Sequence, residues 1–174
     1  MRKKLKDALN FIKNDFKKLK ETSKKGIWQT DSESDLVFLL GNKLIDFSDN
    51  FDDFTEVEKT FYLCKIFDDE VQSSGDFYSL YTSENGKYVY DVVNCFKIIG
   101  SKETSEIIDK VNNLFDKKLP SDFNERDEYI DSVYDDIEEE MDELYDEYSE
   151  YSDNIENLLY EYAIKNKDQF KNIK

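Results

Sequence analysis

Histidine is absent from the 174 residues, which removes the usual general base and the commonest metal ligand. Proline occurs once and glycine five times. So few breakers favour long helices over a strand-and-turn architecture. The two cysteines, Cys64 and Cys95, sit in apolar periodic segments. They read as buried thiols of a reducing compartment, although one disulfide is possible by count. The longest apolar run, Leu36-Val37-Phe38-Leu39-Leu40, is far too short to span a membrane, and the basic N-terminus lacks the apolar stretch of a secretory signal. A cytoplasmic protein without membrane contact is expected. No phosphate-cradling glycine loop, zinc-spaced cysteine pair or calcium-hand loop occurs. No enzymatic activity, metal or cofactor is expected from this inventory.

Charge of one sign is abundant, and it is concentrated. Residues 119–164 hold 18 of the 41 acidic residues and one basic residue, Arg126. That segment therefore carries −17, the formal charge of the whole chain. The other 128 residues balance at 23 acidic against 23 basic. A long stretch of one sign steers oppositely charged partners toward it. The partner class implied is a protein with a basic face, above all a nucleic-acid-binding protein. Direct binding of nucleic acid is disfavoured, because it needs a positive footprint that displaces phosphate counterions.

Hydrophobic periodicity predicts an all-α chain, a single-domain bundle of about six or seven helices with a long acidic helix near the C-terminus. Residues 1–25 form a basic amphipathic N-terminal unit, with Leu5, Leu9, Ile12, Phe16 and Leu19 along one face of a helix over 3–24. Residues 30–118 form a central helical core. There, helices are expected over 33–48, from Thr55 through Val71, over 87–99 with Gly100 as the stop, and over 103–117. The spacing Thr55-Glu56-Val57-Glu58 is that of a capping box. Residues 72–86, with Gly75 and Gly86, interrupt the pattern. Residues 119–174 then form an acidic helix pair, the first helix over about 123–149 behind Asp122 and the second from near Asp153.

On the long helix, Ile130, Val133, Ile137, Met141, Leu144 and Tyr148 make the inward stripe. Glu128, Asp131, Asp135, Glu138, Asp142 and Asp146 recur three or four residues apart on the outward face, flanked by Glu139 and Glu143. Like charges at that spacing destabilise a helix by a few tenths of a kcal/mol per pair. Lysine, which would relieve this, is missing from the face. The uncompensated repulsion points to a partner-binding role for these carboxylates, with Tyr145 and Tyr148 adding contact area at low entropy cost. The bland alternative is a solvated, solubilising face.

Residues 61–115 resemble the central region of the DNA-mimic protein nineteen family of small acidic helical bacterial proteins. The matching stretch reads Glu70-Val71-Gln72-Ser73-Ser74-Gly75-Asp76-Phe77, then Ser79-Leu80-Tyr81 and Ser83-Glu84-Asn85-Gly86. A second motif of that family is similar to Cys95-Phe96-Lys97-Ile98-Ile99-Gly100-Ser101. The chain departs from the pattern where Ser73-Ser74-Gly75 replaces Asn-Gly-Gly and where Ser79 and Ser83 replace Gln and Asn. The resemblance implies an all-helical domain and, for part of the family, binding to a helix-turn-helix regulator in place of DNA. Within the motif, Glu70, Gly75, Phe77, Tyr81, Gly86 and Gly100 read as architectural turn, cap and core residues.

The leading expectation is a non-enzymatic DNA mimic, monomeric or homodimeric, whose acidic helix occupies the DNA-binding face of a basic protein such as a transcription regulator. An immunity-type inhibitor of a basic toxin or nuclease shares these electrostatics. A small-molecule or enzymatic site would instead use residues 70–86, with a pocket lined by Glu70, Phe77 and Tyr81.

Overall fold

The computed structural model describes residues 26–30, 32–150, 154–171 and 173. The helix expected over 3–24 therefore lies outside the described residues, as do Tyr151 and Asp153. The described residues form seven α-helices and no strand: α1 (Glu33–Asp46), α2 (Glu56–Ser74), α3 (Tyr78–Tyr81), α4 (Val89–Ile99), α5 (Lys102–Asn112), α6 (Phe123–Glu150) and α7 (Ile155–Lys165). Among them no helix is long and apolar enough to cross a membrane.

Helix α2 is the central element, because its apolar residues run around most of its circumference. Phe61, Leu63, Cys64, Ile66, Phe67 and Val71 are all buried on it. It accordingly packs against α1, α3, α4 and α7. Its start is set by the capping box: the Glu58 amide donates to Thr55 Oγ1 at 3.1 Å, and the Thr55 amide donates to Glu58 Oε2 at 2.9 Å. Both orphan donors are thereby satisfied within the first turn. Its end is set by Gly75 at φ +79°, a left-handed conformation that suits glycine at a helix C-terminus. Gly100, at φ +98°, does the same between α4 and α5, which pack closely on one another.

Two boundaries differ from the sequence expectation. Residues 72–86 are not a simple break: α2 continues to Ser74, and the short α3 and a 3-10 turn over Glu84–Tyr88 fill the remainder. Helix α5 stops at Asn112 rather than 117. There the Asn112 side chain is drawn into the core, where Oδ1 accepts from Tyr81 Oη at 2.8 Å and Nδ2 donates to the Val89 carbonyl at 2.9 Å. The last helix packs chiefly against α1 and α2, burying Ile155, Leu159 and Ala163. Cys64 and Cys95 are buried free thiols. Burial pushes both thiols above their usual range, Cys95 to about 11.

Candidate functional site

Helix α6 is 28 residues long, about 42 Å at 1.5 Å per residue. Asp122 opens it by accepting the Glu125 amide on Oδ1 at 3.1 Å. Fully buried side chains on it are few: Arg126, Ile130, Met141 and Tyr148. The intervening Val133, Tyr134, Ile137 and Leu144 are half-buried against the core. The helix thus lies on the bundle with a narrow apolar seam and leaves most of its surface to solvent.

Twelve of its fourteen acidic residues are exposed. Glu128, Asp131, Asp135, Glu138, Glu139, Asp142, Glu143 and Asp146 are all among them. Twelve carboxylates over about 42 Å is about one per 3.5 Å, close to the 3.4 Å phosphate spacing along one strand of B-DNA. Among the described residues one ion pair reaches this helix, Lys110 Nζ to Glu147 at 2.8 Å, and it lies at the edge facing α5. The remaining carboxylates present an almost unrelieved negative surface.

Of the two tyrosines nominated for that surface, Tyr148 behaves otherwise. Tyr148 is 3% exposed, so it offers no contact area. Its ring sits 5.6 Å from that of Phe77, and its hydroxyl donates to Asp68 Oδ1 at 2.6 Å. Tyr145 is half-buried at the core edge, 6.0 Å from Phe77. The inward stripe and the contact list overlapped at Tyr148, and burial decides for the stripe. The aromatic surface next to the carboxylates is instead a pair, Tyr78 of α3 and Tyr134 of α6, with ring centroids 4.4 Å apart. The Tyr78 hydroxyl donates to Asp131 Oδ1 at 2.7 Å, and this bond to a carboxylate pushes its pKa up to about 12. Sequence reasoning missed Tyr78 because it lies 53 residues from its partner.

Arg126, the lone cation of the acidic segment, does not neutralise that surface. It is 1% exposed and spends its guanidinium on backbone carbonyls. Nε donates to Tyr81 at 3.0 Å, Nη2 to Ser83 at 2.6 Å, and Nη1 to Pro120 at 3.2 Å and Ser121 at 3.1 Å. Desolvation lowers its pKa from the ordinary arginine value, and the nearby Glu84, Asp122 and Asp127 oppose that shift. One side chain thereby clamps the turn after α3 to the start of α6. Its isolation among acids was the one signal in the sequence that could have drawn attention to it.

The motif residues build that turn. Glu70 accepts from Ser83 Oγ at 2.9 Å on one carboxylate oxygen and from Asn85 Nδ2 on the other. Ser83 also caps the following 3-10 turn by accepting the Asn85 amide, so this serine is structurally engaged. Gly86 lies so close that a Cβ there would stand 2.3 Å from the Tyr81 carbonyl oxygen and 2.9 Å from Arg126 Nε. Phe77 and Tyr81 are fully buried, and Tyr81 stacks on Phe115 at 5.8 Å. They therefore line no pocket with Glu70. The open depression beside Glu70, about 380 Å³, is walled by Asp69, Ser73, Ser74, Ser79 and Ser83. Among the described residues no group of histidines, cysteines and carboxylates could hold a metal ion.

The half-buried Asp68 under Tyr148 carries a pH consequence. Burial raises its pKa above the ordinary carboxylate value, only partly offset by the bond from Tyr148. A carboxyl whose folded pKa is raised favours the fold while protonated, and this contribution is lost as pH rises from about 4 through the raised pKa. Asp68→Asn keeps an acceptor for Tyr148 without the charge. It is expected to flatten that fall and to match or exceed the wild type at neutral pH, measured by urea midpoints across the acid-to-neutral range. An unchanged pH profile in the variant would count against the assignment.

The family model described as DMP19-like protein matches residues 52–166, which takes in α2 to α7 and the whole of the acidic helix. No match to a curated protein or to a solved structure is found.

Proposed function

This chain belongs to the DMP19-like protein family, and from that membership together with the acidic surface of α6 we propose that it is a non-enzymatic DNA mimic. In this reading Glu128, Asp131, Asp135, Glu138, Glu139, Asp142, Glu143 and Asp146 stand in for phosphates. They occupy the DNA-binding face of a basic protein, such as a helix-turn-helix regulator, and exclude its DNA.

The observation that carries the reading is the phosphate-like density of exposed carboxylates on one helix, which among the described residues forms a single ion pair, with Lys110. Each like-charge neighbour lowers helix stability, a cost that interspersed lysines would relieve. The clamp by Arg126 supports the same reading, because it holds the face in one orientation relative to the bundle. A preorganised surface binds without first losing the entropy of a mobile one. The small-molecule alternative loses support, since Phe77 and Tyr81 are consumed by the core.

The test is retention of proteins from the native lysate on immobilised protein at low salt, followed by elution with duplex DNA. A basic DNA-binding protein that is retained, released by duplex, and progressively lost with added salt fits mimicry, because exposed charge pairs are screened within about 10 Å at 0.1 M. A single tightly held partner that duplex fails to displace would overturn it in favour of an immunity-type complex.

A further inference from the structure

The aromatic pair between α3 and the acidic helix differs from several other rings near the surface. Lysines sit over Phe47, Phe51, Tyr88, Tyr90, Tyr129 and Trp28, at 4.1 to 5.7 Å from the ring centres. Among the described residues no cation covers Tyr78 or Tyr134. Yet these two rings stand in the most negative surroundings, where a cation over a ring is favoured doubly, by the π face and by the adjacent carboxylates. Asp131 and Glu138 lie three residues before and four after Tyr134, one turn away on either side, and both are exposed. Glu138, Asp142 and Asp76 all act electrostatically on the Tyr134 hydroxyl.

The pair is also held still. Tyr78 is three residues from Tyr81, whose carbonyl takes Arg126 Nε, and its own hydroxyl is bonded to Asp131. Two tethers therefore fix α3 against the same stretch of α6. A rigid, half-buried tyrosine pair flanked by carboxylates has the make-up of an interface hot spot, and the residue that complements it is arginine.

We propose that Tyr78 and Tyr134, with Asp131 and Glu138, form an arginine-selective anchor at which the basic partner docks one guanidinium against an aromatic face and forked onto a flanking carboxylate. The preference for arginine over lysine follows from its chemistry. A guanidinium is planar, weakly hydrated and able to stack while donating two parallel hydrogen bonds, whereas an ammonium is a compact, strongly hydrated point charge. The anchor rests on the DNA-mimic reading, and it adds a local, shape-dependent element to a surface otherwise selective only for charge.

The experiment titrates the full chain into fluorescein-labelled nona-arginine and nona-lysine peptides at low salt, following anisotropy. The wild type is expected to bind the arginine peptide about tenfold more tightly. Tyr78→Leu/Tyr134→Leu keeps the apolar volume but not the π faces, and should cut that ratio to about twofold. Tyr78→Phe/Tyr134→Phe keeps the rings but not the bond to Asp131 and should retain most of the preference, which separates loss of the π faces from loss of that bond. Equal binding of the two peptides by the wild type, or an undiminished ratio in the leucine variant, would overturn the anchor while leaving the acidic face intact. Failure of both peptides to bind, or binding indifferent to salt, would overturn the mimic reading and the anchor together.

Discussion

Arg126→Ala is expected to lower the unfolding free energy by about 3–5 kcal/mol, the largest effect of any single substitution outside the apolar core. The alanine would leave the buried Tyr81 carbonyl without a donor and remove one donor from each of the less buried carbonyls of Ser83, Pro120 and Ser121, of which Ser83 keeps the Gly86 amide. Each buried, unsatisfied polar group costs about 1–3 kcal/mol. Only the Tyr81 carbonyl bears that penalty in full; water reaches the other three, so the loss stays well short of four such penalties. Arg126→Lys should recover less than half, because an ammonium on a single stem cannot reach four carbonyls in two separate segments. Gly86→Ala should act on the same contact from the other side, since its Cβ would meet the Tyr81 carbonyl oxygen at 2.3 Å. Urea unfolding of all three variants provides the measurement. A loss below about 1 kcal/mol for Arg126→Ala would show that the clamp is dispensable.

Glu138→Gln/Glu139→Gln/Asp142→Asn/Asp146→Asn is expected to abolish partner binding while raising stability. All four side chains are exposed, and none donates to or accepts from another part of the bundle among the described hydrogen bonds. They make like-charge neighbours at three- and four-residue spacing, including Glu138 with Asp142, Glu139 with Asp142, and Asp142 with Asp146. Relief of a few tenths of a kcal/mol per pair predicts a net gain of about 1 kcal/mol. Helix propensities change little between acid and amide. The affinity for a basic partner should fall by about a hundredfold or more, with a shallower dependence on salt. Opposite signs in the two measurements are the diagnostic result, because a misfolded variant would lose both. Unchanged affinity would return the helix face to a solvating role.

Much of the helix pattern was legible because its causes are local. Thr55 and Glu58 meet within one turn, and Gly100 alone can take the left-handed stop after Ile99 without strain. The 3.6-residue periodicity likewise identified Ile130 and Met141 as the seam of α6. Residues 72–86 were less legible, since α3 is a single turn whose apolar residues, Leu80 and Tyr81, are held by distant partners rather than by a helical repeat. Nominating Tyr148 for contact failed for a related reason. Amphipathic tyrosine suits both a core edge and an interface, and only Asp68 and Phe77, brought in from α2 and its C-terminal turn, settle which.

The sequence by itself determined an all-helical chain, the confinement of its net charge to one segment, and its likeness to the DNA-mimic protein nineteen family. Periodicity, capping and charge are read along the chain and need no knowledge of what lies across it. Only the tertiary structure decided that Arg126 is a buried clamp rather than a counter-ion. It also decided that Tyr78 stands beside the carboxylates while Tyr148 is buried, and that α7 packs on α1 and α2. Those outcomes depend on which carbonyls, rings and apolar faces meet across separations of more than 40 residues. Burial then selects among uses that a polar or amphipathic side chain leaves open.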